Sequence, residues 1–142
     1  MSAGAPVLGV VTSCPHLFHD GRWWSYEPYV LEMNALGRHF RGLTLVAPTQ
    51  DGPPPEFWSP YEVGLPVTVI GFRHNADRGL AQSRFRPRDL LPALGALRRL
   101  QREADLIQVR SPCNIALLAS LVLPMGPRPL FAKYAGQWQD FP

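Results

Sequence analysis

The chain of 142 residues is poor in cysteine and contains no long hydrophobic run. Its two cysteines, Cys14 and Cys113, lack the spacing of metal ligands, so no metal site is predicted. The longest apolar stretch, 115–125, is far shorter than the roughly 20 residues that a membrane-spanning helix needs. Residues 1–11 lack the basic start and the apolar core of a secretory signal. These absences predict a cytoplasmic protein in which both thiols are reduced.

The common nucleotide-binding and hydrolase motifs are missing as well. Residues 9–14 read GVVTSC after the first apolar run, without the GxGxxG pattern of a dinucleotide fingerprint. No P-loop, no GxSxG and no His/Cys metal cluster occurs elsewhere in the sequence. The function therefore has to be inferred from the order of the elements and from the residues between them.

The composition is that of a globular domain, with 46% hydrophobic and 18% charged residues. The length favours a single domain with a real core. The formal charge is +3 because eight arginines lie between Arg73 and Arg102, against only two aspartates. Such a stretch suits phosphate, anionic lipid or nucleic acid, and a solvated helix face is the alternative. We expect no nucleic-acid partner and keep peripheral contact with the inner face of an anionic membrane as a hypothesis.

Short apolar runs alternate with helical patterns along the chain, and loops rich in proline, glycine and polar residues separate them. Strands are predicted over 7–11, 42–48, 66–72, 105–109 and 129–132, and helices over 87–102, over 112–123 and after Ser25, the expected N-cap. Residues 13–24 and 73–86 are predicted loops. Residues 49–65 contain three consecutive prolines and cannot hold a full crossover helix, so the direction of the third strand stays open. This order predicts an α/β fold: one Rossmann-like domain with a mainly parallel sheet and helices on both faces.

Ligands of open α/β sheets bind beyond the carboxyl ends of the strands. The segments 13–24, 110–114 and 133–138 follow three predicted strands and mix aromatic with polar side chains, which suits a sugar. The candidate catalytic residues are His16 and Asp20. The candidate substrate-binding residues are Trp24, Arg110, Ser111, Asn114, Lys133, Tyr134, Gly136 and Trp138.

Each candidate also has a structural explanation. His16 is equally explained as a loop histidine bonded to the backbone, and Asp20 as part of a turn. Arg110 leaves a buried strand, where an unpaired charge is costly, so it needs either an anionic ligand or a carboxylate such as Glu27 or Asp20. Trp24 is equally explained as a cover for the end of the sheet.

The pattern resembles the amino-terminal domain of the family 4-like glycosyltransferases, over essentially the whole chain. Residues 29–36, YVLEMNAL, are similar to the family's "YV.E...L" first helix. Residues 42–48, GLTLVAP, resemble its second strand, and residues 104–112, ADLIQVRSP, resemble its fourth strand and loop. Residues 133–138, KYAGQW, resemble the segment after its fifth strand.

The resemblance implies the acceptor-binding half of a GT-B glycosyltransferase of the hexosyltransferase type, spanning 1–142. A nucleotide sugar would be the donor substrate and a glycan or lipid-linked glycan the acceptor, with no cofactor and no metal. The carboxyl-terminal donor-binding domain would be absent from this chain, so we expect the chain alone to be inactive. Arg110, Lys133 and the backbone where the first and third helices begin are the local candidates for neutralising the leaving diphosphate.

Two other functions fit the same pattern: a non-catalytic sugar- or nucleotide-binding module, and part of a nucleotide-sugar epimerase-like enzyme. The strand order 3-2-1-4-5 would make the first and fourth strands neighbours. His16, Arg110 and Lys133 would then converge on one cleft, with both cysteines near its floor. Their convergence is the structural test of the proposed cleft.

Overall fold

The helices and strands are given by a computed structural model that describes residues 4–73, 87–111 and 113–134. The strands are β1 (Val7–Val11), β2 (Leu17–His19), β3 (Arg22–Tyr26), β4 (Gly42–Thr49), β5 (Trp58–Pro60), β6 (Val67–Arg73), β7 (Leu106–Ser111) and β8 (Leu130–Tyr134). The helices are α1 (Glu27–Gly37), α2 (Pro87–Glu103) and α3 (Asn114–Val122), and one 3-10 turn, Leu123–Met125, follows α3. Most of the predicted loop 73–86 lies outside the described residues.

The central sheet has five strands in the order β6-β4-β1-β7-β8, and all of its neighbours pair in parallel. In the order of the predicted strands this is 3-2-1-4-5, so the predicted topology is confirmed. The third strand, whose direction was open, runs parallel to its neighbour β4. The chain is therefore an α/β protein with a Rossmann-like domain.

Each face of the central sheet carries its own core. On one face, α1 buries Tyr29 and Met33 against Leu8 and Val10 of β1. On the other face, α2 and α3 pack against the alternate residues of the same strands, with Leu97, Leu100, Ile115, Ala119 and Val109 among the buried residues. Helices therefore cover both faces of the sheet, as predicted. The burial of each such leucine stabilises the fold by roughly 2 kcal/mol.

Gly9 of β1 lies against the carboxyl-terminal end of α2 and the residue that follows it. A Cβ atom added there would lie 2.8 Å from both Ala104 Cβ and Leu100 Cδ1. We expect Gly9→Ala to lower the free energy of unfolding by about 1–3 kcal/mol through overpacking. Gly95→Ala is the matched control: Gly95 lies within α2 with open space around it, so alanine should stabilise the protein by about 0.5–1 kcal/mol. Urea denaturation of both variants checks the pair, and equal stabilities would contradict the packing.

The prediction that 13–24 is a loop is wrong in part, because β2 and most of β3 lie within it and join β5 in a second, antiparallel sheet in the order β2-β3-β5. Asp20 and Gly21 have φ angles of 49° and 72° and form the two-residue turn between β2 and β3. Positive φ at both positions suits a two-residue hairpin, and Asp-Gly is a typical sequence for it. The turn prediction at Asp20 is therefore confirmed.

Three further predictions need correction. Ser25 does not cap α1: it lies within β3, its hydroxyl donates to the Pro15 carbonyl at 2.8 Å, and Tyr26 is the N-cap residue. The sequence predicts that the leucines of the second helix, Leu90, Leu91, Leu94, Leu97 and Leu100, face inward. Leu90 and Leu91 are instead 38% and 77% exposed, because α2 turns Ala93 and its helical neighbours Ala96, Leu97 and Leu100 to the sheet. β7 and β8 also extend to Ser111 and Tyr134, so four candidate site residues are strand residues rather than loop residues.

Candidate functional site

The carboxyl ends of β1, β7 and β8 lie side by side at one edge of the central sheet. Arg110 of β7 and Lys133 of β8 are register partners, so their side chains leave the sheet on the same face. The two Nη atoms of Arg110 donate to the two carboxylate oxygens of Glu32 at 2.9 and 3.1 Å. Lys133 Nζ donates to Glu32 Oε1. One carboxylate of α1 therefore binds both cations of the sheet edge.

Charge at this edge is unbalanced. The hydrogen bonds from Arg110 lower the pKa of Glu32, against the effect of burial and with further help from Lys133. Glu32 is therefore ionised at neutral pH, as are its two basic partners. Two positive charges and one negative charge leave a net charge of +1. The side chain of Arg110 is only 11% exposed, whereas those of Glu32 and Lys133 reach solvent.

Tyr29 connects this ion cluster to the end of β1. The Arg110 guanidinium lies over the Tyr29 ring, 5.0 Å from its centroid, and His16 meets the same ring edge-on at 5.6 Å. Tyr29 is 7% exposed, and burial raises its pKa, so the phenol is neutral. Thr12 lies close enough to act against this rise in the pKa, but Tyr29 Oη has no hydrogen-bond partner of normal geometry within the described residues.

His16 is fully buried between the two sheets. Its Nδ1 lies 2.9 Å from the Cys14 carbonyl oxygen, and its Nε2 lies 2.8 Å from Tyr61 Oη. Because a carbonyl only accepts, Nδ1 carries the proton and Nε2 accepts from the tyrosine hydroxyl. Burial lowers the pKa of His16 to about 4. The ring is therefore neutral with both nitrogens engaged, and its catalytic role stays a prediction.

The carboxylate that pairs with Arg110 was missed by sequence reasoning. Asp20 lies at the hairpin turn with its side chain 83% exposed, 3.3 Å from His19 Nε2, and its catalytic role stays a prediction. Glu27 accepts a hydrogen bond from the Ser59 hydroxyl at 3.2 Å. The expected partners of Arg110 were therefore wrong, and Glu32 takes their place. The sequence held one indication of this role for Glu32: it lies three positions after Tyr29, and residues at that spacing share one helix face.

The other candidate residues that the structure describes belong to four different elements. Ser111 and Tyr134 are register partners that end their strands beside Arg110 and Lys133. Asn114 is the first residue of α3. Trp24 belongs to the small sheet, where its indole N–H donates to the His19 carbonyl at 3.1 Å. Two candidates, Gly136 and Trp138, lie outside the described residues.

The two cysteines follow neighbouring central strands, Cys14 after β1 and Cys113 after β7. Cys14 Sγ is 3.2 Å from the Ser25 hydroxyl, and Cys113 Sγ donates to the Arg110 carbonyl at 3.3 Å. Both are free thiols. Burial raises the pKa of Cys14, so this thiol is protonated at neutral pH and is a poor nucleophile.

Comparison of the chain with models of known protein families, with curated proteins and with solved structures gives no significant match. Across residues 4–73, 87–111 and 113–134, no group of three or more His, Cys, Asp or Glu residues is arranged to hold a metal ion. The same described residues contain no helix with the length and apolarity to cross a bilayer. The candidate site therefore has to be interpreted from its own geometry.

Proposed function

We propose that this chain is the acceptor-binding half of a glycosyltransferase that transfers a sugar from a nucleotide-sugar donor to a glycan or lipid-linked glycan. The observation that carries the proposal is the convergence of three strand ends at one edge of the sheet. His16, Arg110 and Lys133 are linked there through Tyr29 and Glu32. This convergence was expected from the strand order and from the resemblance to the family 4-like enzymes.

The cluster offers chemistry that sugar transfer needs. The departing nucleoside diphosphate gains negative charge in the transition state, and fixed positive groups stabilise that charge more strongly in a partly buried site than in water. Arg110 is such a group, since a carboxylate and an aromatic ring both fix its guanidinium. Tyr134 beside it, 49% exposed, offers an aromatic face for a sugar ring.

The structure favours a transferase over an epimerase-like enzyme. In dinucleotide-binding domains the pyrophosphate lies at the start of the helix that directly follows the first strand. Here the hairpin β2-β3 separates β1 from α1, and the Glu27 N–H donates to the Phe57 carbonyl at 2.9 Å. The Glu27 side chain adds a negative charge in the first turn. The start of α1, a candidate for binding the diphosphate, is thus poorly suited to an anion.

A sugar- or nucleotide-binding module is the second candidate function. The burial of His16 favours it, because both ring nitrogens are engaged and neither can act as a base in this conformation. In a binding module the same strand ends would hold a ligand, and no bond would be transferred.

Assay of the full-length gene product against a panel of nucleotide sugars separates the two candidates. We expect release of nucleoside diphosphate that depends on an added glycan or lipid-linked acceptor, because positioning of both substrates supplies much of the rate. The 142-residue chain, assayed in parallel, is expected to show no transfer. Binding of nucleotide sugars by the full-length product without turnover would support the module and overturn the transferase.

A further inference from the structure

The cluster of Arg110, Lys133 and Glu32 differs in charge from the other ion pairs of the described residues. Arg38 with Glu62 and Arg99 with Glu103 are each one cation on one carboxylate, and their side chains are largely exposed. At the sheet edge two cations share one carboxylate, and the Arg110 side chain is almost covered. An excess positive charge in a partly covered site attracts an anion more strongly than an exposed pair does.

The hydrogen bonds within the cluster do not use every N–H donor of its two cations. Glu32 Oε1 accepts from both Arg110 and Lys133, so one oxygen serves two cations, while Oε2 serves Arg110 alone. An ammonium has three donors, and within the described chain Lys133 uses one of them. Its side chain is 44% exposed, so the remaining donors are accessible from solvent.

Arg110 is held in place independently of any ligand. Its guanidinium lies over the Tyr29 ring and meets Glu32 in a bidentate geometry. A guanidinium in this arrangement presents two parallel N–H groups to a planar pair of oxygens, which is how arginine binds carboxylate and phosphate. Glu32 therefore shows where two oxygens of a bound anion would lie.

We propose that Arg110 and Lys133 form a binding site for a phosphate group and that Glu32 occupies this site in the unliganded protein. In the unliganded protein Arg110 and Lys133 share one oxygen, Glu32 Oε1. A phosphate has more oxygens than a carboxylate, so two of them can meet Arg110 while a separate one meets Lys133. The site therefore selects phosphate over carboxylate ligands. The inference rests on the proposed function and deepens it by naming a phosphate of the bound substrate as the group that displaces Glu32, although phosphate binding by this chain is measurable without any transfer.

Titration of the purified 142-residue chain with inorganic phosphate, and with acetate in parallel, tests this site by calorimetry and NMR. Glu32→Gln removes the competing carboxylate and keeps the size of the side chain, so the affinity for phosphate should rise about tenfold or more. Lys133→Gln should lower the phosphate affinity about tenfold and remove the preference over acetate. Glu62→Gln is the matched control, since it frees Arg38 from an exposed one-to-one pair, and it should leave phosphate binding unchanged.

An unchanged phosphate affinity in folded Glu32→Gln overturns the site, as does an equal rise in Glu62→Gln. If Glu32→Gln fails to fold, Glu32→Asp replaces it: the shorter side chain cannot reach both cations, so phosphate should bind more tightly than in the wild type. The absence of that rise also overturns the site. Phosphate binding without transfer by the full-length product contradicts only the glycosyltransferase, whereas transfer without phosphate binding contradicts only this inference.

Discussion

Replacing Arg110 by alanine is expected to lower kcat/KM for sugar transfer by the full-length product about 100-fold or more. The guanidinium is the most deeply covered cation of the site, and two neighbours fix its orientation before a ligand arrives. Alanine removes the charge and both N–H donors together. Arg110→Lys keeps the charge but loses the bidentate geometry, so it should restore only part of the loss. Steady-state kinetics of both variants measures the effect.

Stability and activity should separate in this variant. Without Arg110, Glu32 keeps Lys133 as a partner and reaches solvent, so we expect a loss of only about 1–2 kcal/mol in the free energy of unfolding. Arg38→Ala is the control, because it breaks an exposed pair with Glu62 outside the cluster and should leave kcat/KM unchanged. If the unfolded fraction of Arg110→Ala accounts for its whole loss of activity, then Arg110 has a structural role only.

The inner strands of the central sheet could be predicted because they are buried on both faces. Residues 7–11 and 42–48 are short, mostly apolar runs, and a strand covered by helices on both sides needs such a run. The order of the strands then placed Arg110 and Lys133 at the same edge, because parallel strands end together. Topology located the cations of the site without any contact being known.

The small sheet was harder to predict because its strands are short and half exposed. β2 and β5 have three residues each, and the burial of β3 does not alternate. The Asp-Gly turn was recognised, yet the aromatic residues on both sides were not taken as strands. Tertiary contacts decide this region: His16 donates its backbone N–H to Pro48 and stacks on Tyr61. Such contacts cannot be inferred from local periodicity.

Glu32 shows which part of the candidate site could not be predicted from the sequence. It meets Arg110 across 78 positions in sequence, by the packing of α1 onto the sheet. Local spacing predicts that Tyr29 and Glu32 share a helix face, but it does not predict which strand that face meets. The rule for strand ends identifies the sheet side of a site, whereas its helix side depends on packing.

Acid is expected to destabilise the protein through His16. Its pKa is about 4 in the folded protein and near its ordinary value of 6.5 in the unfolded chain. Between these values the unfolded state binds more protons, so stability is complete above about pH 6.5 and falls as the pH falls towards about 4. The full loss is about 3 kcal/mol. The lowered pKa of Glu32 also removes stability in acid, as the pH falls through its ordinary value of 4.5 towards the lower folded value.

Urea denaturation at several pH values between about 7 and about 4 measures this slope. His16→Gln keeps an amide donor for the Cys14 carbonyl and an acceptor for the Tyr61 hydroxyl, so it should fold with lower stability and a flatter pH dependence. His39→Gln is the matched control, since His39 is exposed and its loss should leave the slope unchanged. Equal slopes in His16→Gln and the wild type would show that other groups cause the acid sensitivity. A flatter slope in His16→Gln would instead assign the acid sensitivity to His16, which contacts the end of β4 and the Tyr29 ring beneath Arg110.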